Sequence, residues 1–146
     1  MVEVTRTFTV AAAPHEVVDY LKDFGNATEW DPGTRSCDRL GAGPIEVGAR
    51  WRNVSKIGGV QTELTYELTR LEPGRVVFSG RNDTATTTDD IGVTAAGSGS
   101  TLTYHATIEF QGAAKLGAPI AKVVFEKVGA DTEESLTRVF GAVGTP

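Results

Sequence analysis

With one cysteine, Cys37, among 146 residues, the chain cannot form an internal disulfide, and a reducing compartment is its expected setting. His15 and His105 make no zinc spacing with that cysteine, so no metal is expected. Basic residues are in deficit: 14 Lys and Arg stand against 19 Asp and Glu, for a net charge of −5 and a pI near 5.0. Without a basic face, neither phosphate backbones nor anionic membranes attract such a chain, so nucleic acid is not an expected partner. No apolar run reaches the ~18 residues of a membrane span. The opening MVEVTRTFTV alternates apolar and polar residues and does not read as a signal peptide. There is no glycine-rich phosphate loop followed by Lys-Ser/Thr and no nucleophile elbow. A cytoplasmic protein with no cofactor and no membrane insertion is the expectation.

Bulky side chains are also few, at 2 Trp, 3 Tyr, 6 Phe and 1 Met. Glycine is in excess, with 17 residues, where average usage would give roughly 10. Hydrophobic residues at 40% and charged residues at 23% are ordinary for one globular domain spanning residues 1–146.

Alternation predicts a strand over Val2–Val10, with Val2, Val4, Arg6, Phe8 and Val10 on one face. Pro14 opens a helix that Gly25 ends, and Asn26 caps a second short helix through Trp30. Strands follow at Thr34–Leu40, Val47–Ile57, Val60–Leu71, Arg75–Gly80, Thr84–Ala95 and Thr101–Phe110. Gly58-Gly59 and Glu72-Pro73-Gly74 mark turns between them. From about Pro119 to Val143 the pattern is helical, with Ala121, Phe125, Val128, Thr132, Leu136, Val139, Phe140 and Val143 on one stripe. Consecutive hairpins imply an antiparallel sheet, and only the last helix is long enough to cover its apolar face.

This order resembles the SRPBCC superfamily, which includes START domains, Bet v 1-like proteins and polyketide cyclase/dehydrase-like proteins. The residues that carry the resemblance are Ala13-Pro14-x-Glu16-Val17-Val18, the segment Asn26 to Pro32, Gly48-x-x-Trp51, Glu72-Pro73 and Glu134-Ser135-Leu136. It implies an α+β helix-grip fold, in which a curved antiparallel sheet of about seven strands wraps a long C-terminal helix and two short helices follow the first strand. It also implies an internal cavity for an apolar or aromatic small molecule, lipid- or polyketide-like. Binding in that cavity is one expectation and needs at least ~300 Å³ of enclosed space. Cyclase- or dehydratase-like catalysis is the alternative, and a protein-interaction or toxin-like role on the outer surface is the third.

Strand parity points Trp51, Tyr66, Phe78 and Tyr104 inward, and these, with Trp30 and Phe125, are the candidate ligand-binding residues. Arg6 shares the inward parity of Val4 and Phe8. It either anchors an anionic ligand group or lies at a strand edge with its stem snorkelling. Arg6, Tyr66 and Tyr104 are the candidate catalytic residues, and the enzyme reading requires Arg6, a tyrosine and a carboxylate to converge. Of the pair Asp89-Asp90, Asp90 is the candidate base if it faces the cavity, against a solvated position at the strand edge. Cys37 reads as a half-buried strand residue, not a nucleophile. The stretch Leu116–Phe125 is apolar on two sides. It either packs beneath a loop or forms a pocket gate or homodimer contact. Gly80, Gly92, Gly117 and Gly129 fall in or beside predicted elements, where the sheet bends or the backbone makes room, so the composition suggests a sheet curved around a hollow.

Overall fold

Seven strands form one antiparallel sheet in the order β1-β7-β6-β5-β4-β3-β2. The computed structural model describes residues 1–57, 59–112 and 118–142. The strands are β1 (Val2–Val10), β2 (Thr34–Leu40), β3 (Arg50–Ile57), β4 (Val60–Glu72), β5 (Arg75–Arg81), β6 (Ala85–Ala96) and β7 (Gly99–Phe110). Between β1 and β2 lie α1 (Pro14–Leu21), a 3-10 turn at Phe24–Asn26 and the single-turn α2 (Ala27–Trp30), and α3 (Ala118–Phe140) ends the chain. This is the helix-grip architecture, with β1 and β2 as the two sheet edges. Among the described residues, no helix is long and apolar enough to cross a membrane.

Alternation places the core on the concave face. Val2, Val4 and Val10 of β1, Trp51 of β3, Leu64, Tyr66 and Leu68 of β4, Val76 and Phe78 of β5, Ile91 and Val93 of β6, and Leu102 and Tyr104 of β7 are all buried. On the other face, Arg50 pairs with Glu67, Arg52 with Glu63, and Arg75 with Asp90. In β4 the pairing with β5 slips between Leu68 and Arg70. This bulge changes the parity, so that Leu71, three residues after Leu68, packs against the core. β3 begins at Arg50, not at Val47, because Gly48 takes φ +100° and the Ala49 amide bonds back to the Glu46 carbonyl, which makes a turn there.

α3 packs chiefly against the edge strand β1. Among its described residues, the side chains of Thr132, Ser135, Leu136 and Phe140 are buried. Gly129 allows that approach, since a Cβ there would stand 2.7 Å from Val4 Cγ2. Gly92 has no such role, because its nearest neighbour lies 4.0 Å from an added Cβ. Gly58, Leu116, Gly117 and Val143, and the side chains of Ile120 and Ala121, lie outside the described residues. Of the two-sided apolar stretch, Val123 is exposed, and Val124 and Phe125 are half-buried.

The close packing of α3 on β1 makes a specific prediction. Gly129→Val should lose at least ~2 kcal/mol in urea denaturation, because overpacking against Val4 outweighs a gain in helix propensity of roughly a few tenths of a kcal/mol. Ala130→Val, one residue along on the exposed side, should lose well under ~1 kcal/mol.

Candidate functional site

The concave interior divides into a filled part and a hollow part. In the filled part, Phe24 stacks on Tyr66 at 4.3 Å between centroids and lies 4.6 Å from Phe78. Trp30 and Trp51 meet the same ring edge-on at 6.0 and 6.2 Å. Trp51 Nε1 donates to Asp23 Oδ1 at 3.3 Å, while Trp30 Nε1 is buried with no partner among the described residues. Trp30, Trp51 and Phe78 thus pack around Phe24, and none of them lines the open space.

The hollow part is a pocket of about 130 Å³ between the sheet and α3, whose lining includes Asp31, Leu64, Tyr66, Thr87, Asp89, Tyr104, Phe110 and Phe125. It falls short of the ~300 Å³ of enclosed space that binding a whole ligand is expected to need, so the expectation of a large enclosed cavity is not met by this pocket. The aromatic cluster has taken the remaining volume, so the glycine-rich composition does not mean a hollow core throughout. Val128 borders both the pocket and an open groove of about 400 Å³ formed by Pro32, Gly33, Lys56, Val123, Val124 and Lys127.

Local sequence explains the polar wall of the pocket. On β6 the inward parity is Ala85, Thr87, Asp89, Ile91 and Val93, of which all but Thr87 are buried. Asp89 therefore faces in. Asp90 faces out and is clamped by Arg75, whose Nε and Nη2 donate to its two oxygens at 2.9 and 2.5 Å. Asp89 pairs across the ladder with Phe78 and Ala106, and Tyr104 lies diagonal to it on β7. The Tyr104 hydroxyl donates to Asp89 Oδ1 at 2.9 Å. Tyr66, Gly80 and Thr87 form a row across β4, β5 and β6. A Cβ on Gly80 would stand 2.7 Å from the Tyr66 ring, so the missing side chain lets that ring reach over β5. Thr87 Oγ1 then donates to the Tyr66 hydroxyl at 3.2 Å.

Asp31 enters from the turn after α2, where its Oδ1 accepts from the Gly33 amide and its Oδ2 from Thr34 Oγ1 at 2.8 Å. Thr34 Oγ1 in turn accepts from Asn53 Nδ2, and Ser55 Oγ donates to Asn53 Oδ1. A buried polar chain thus runs from β3 to the pocket.

Burial disfavours both ionised carboxylates. Asp89 is pushed up to about 7, first by desolvation and then by the charge of Asp31, and the Tyr104 bond offsets only part of this. Asp31 is raised by burial as well, against the bonds from Thr34 and Gly33. Burial and the same two acids hold the Tyr66 and Tyr104 phenols far above their usual range, so both remain donors. Burial pushes the Cys37 thiol up to about 12, so it is not a nucleophile at neutral pH.

Arg6 has the inward parity expected of it but lies on the edge strand, half-buried, with Nε 3.0 Å from Glu133 Oε1 of α3. It does not line the pocket. The convergence of Arg6, a tyrosine and a carboxylate that the enzyme reading requires does not occur; the tyrosine and carboxylate that meet are Tyr104 and Asp89, not Asp90, and Arg6 stands apart. Among the sequence-stated candidates, Tyr66, Tyr104 and Phe125 line the pocket. Asp31, Thr87 and Asp89 were not among those candidates. Asp89 was detectable, because it shares parity with Ile91 and Val93. Asp31 had no sequence signal beyond ending a helix before Pro32.

The family model for polyketide cyclase/dehydrase and lipid transport proteins matches residues 1–141. The chain belongs to that family. Its fold is shared by a START superfamily protein from Mycobacterium smegmatis, with a TM-score of 0.78 at 15% identity over 94% of this chain and 96% of that one. The Zhui aromatase/cyclase from Streptomyces sp. R1128 gives 0.73 at 17% identity over 98% of both chains. The ginseng major latex-like protein 151 from Panax ginseng gives 0.71 at 10% identity over 96% of this chain and 97% of that one. A search of curated proteins returned no match. At these identities the solved structures establish the shared helix-grip SRPBCC fold.

The raised Asp89 carries a stability consequence with a definite sign. An unfolded Asp titrates near ~3.9. The folded protein therefore holds this proton more tightly, and the resulting stability, present below about pH 4, is lost as pH rises toward 7. Asp89→Asn should raise stability at pH 8 by on the order of 2–4 kcal/mol and change little at pH 4. Urea denaturation at the two pH values checks this, and equal effects at both would refute it.

Proposed function

We propose that this protein binds a small, largely apolar molecule whose polar group meets Asp89, Tyr104 and Tyr66 in the pocket beside α3. The observation that carries the reading is a concave space in which the apolar side chains Leu64, Ile108, Phe110, Phe125 and Val128 meet the polar groups of Asp31, Tyr66, Thr87, Asp89 and Tyr104. Membership of a family described by cyclase, dehydrase and lipid-transport functions supports it. The small volume suits a single ring or a short branched chain, or one end of a longer molecule whose remainder follows the groove past Val128.

A second reading is favoured by one observation. Asp89 is poised to hold or release a proton near neutrality beside a tyrosine donor, as proton-transfer catalysis requires. In that reading Asp89 transfers the proton and Tyr104 stabilises developing negative charge on a substrate oxygen.

Native mass spectrometry of the protein isolated from its own cells tests both. A retained small molecule is expected, and it should be lost in Ala85→Trp, which fills the pocket wall. Absence of any adduct, or its persistence in Ala85→Trp, contradicts the binding site. Recovery of the compound unchanged after incubation with fresh protein favours binding, and its conversion favours catalysis.

A further inference from the structure

We propose that the pocket selects a cationic amine, with the ammonium seated against Asp89 and Asp31 and the apolar body against Phe110 and Phe125. This deepens the reading of the pocket as a ligand site and rests on it. Two carboxylates from separate elements, strand β6 and the turn after α2, line one small space, and among the described residues no Lys, Arg or His lines it. Arg6, on the neighbouring concave face of β1, is already bound to Glu133 of α3. Asp89 is only 8% exposed. Tyr104 occupies its Oδ1, and among the described residues nothing donates to Oδ2.

An enclosed carboxylate is stabilised by a proton or by a partner cation. Among the described residues, the titratable groups facing Asp89 are Asp31, Tyr66 and Tyr104, and none of them is a cation. In the empty protein a proton therefore neutralises Asp89 for much of the time at neutral pH. A protonated amine can take that proton's place, releasing it to solvent and completing the coordination of Oδ2 with a charge-assisted bond. An anionic ligand, such as a fatty or aromatic acid, would instead meet two acids with no counter-charge.

Three isosteres test this by calorimetry at pH 8 with the full chain: 2-phenylethylamine, 2-phenylethanol and phenylacetate. The amine should bind at least ~10-fold more tightly than the alcohol, as expected for a charge-assisted bond, and phenylacetate more weakly than either. Asp89→Asn, with its fold verified by circular dichroism, should bring amine and alcohol to similar affinity. Affinity for the amine should fall about tenfold per pH unit below the Asp89 midpoint, because the protonated carboxyl no longer attracts an ammonium. Alcohol or acid binding as tightly as the amine overturns the proposal while leaving the pocket a ligand site. An amine preference untouched by Asp89→Asn also overturns it. Failure of all three compounds to bind overturns both readings.

Discussion

A seven-stranded antiparallel sheet is about 29 Å wide at normal strand spacing, and one of its faces here is apolar. A single helix, α3, is offered to cover that face. Its 23 residues give a cylinder about 35 Å long, but only about 10 Å across. The helix cannot seal the concavity by itself. Every other feature of the interior answers that shortfall. Gly129 brings α3 hard against β1, α1 and α2 close the opposite side, and Phe24, Trp30, Trp51, Tyr66 and Phe78 fill the space between. The pocket is what remains where this filling stops.

The residual space is electrostatically unbalanced. A globular protein normally pairs or exposes its carboxylates, and this one does so on the outer face of the sheet, where Asp90, Glu63 and Glu67 each hold an arginine. Inside, Asp89 and Asp31 line the same pocket, while Arg6 is engaged with Glu133. The unbalanced pair lowers stability at neutral pH and gains nothing in packing. Perturbed groups in a concave site are a physical signature of function. Relatives at 10–17% identity share the backbone arrangement, so ligand chemistry is set by side chains such as these and not by the fold.

Much of the architecture was legible in the chain itself. Period-2 alternation located all seven strands, and parity correctly turned Trp51, Tyr66, Phe78 and Tyr104 inward. Inward, however, is not the same as pocket-lining. Whether an inward side chain meets a cavity or another ring depends on how α2 and the turn at Phe24 dock, which no local pattern encodes. Arg6 illustrates the same limit, because its orientation was readable but its partner lies 127 residues away. Asp89 was missed for a different reason. An acidic doublet in a polar, threonine-rich strand reads as solvated, although alternation with Ile91 and Val93 assigned one member of the doublet to each face. Asp31 reaches the pocket through the tertiary placement of its turn. Gly80 and Gly129 were both legible as places where backbone must make room.

The enclosure of a carboxyl group at the end of this core, with no counter-ion among the described residues, governs the site. Its most direct test is a titration of the aspartate side-chain carboxyl carbons by NMR on the ligand-free protein, with Asp89 assigned by its loss in Asp89→Asn. The account predicts an Asp89 midpoint near 7. A midpoint near the ordinary ~4 of an exposed aspartate would contradict it.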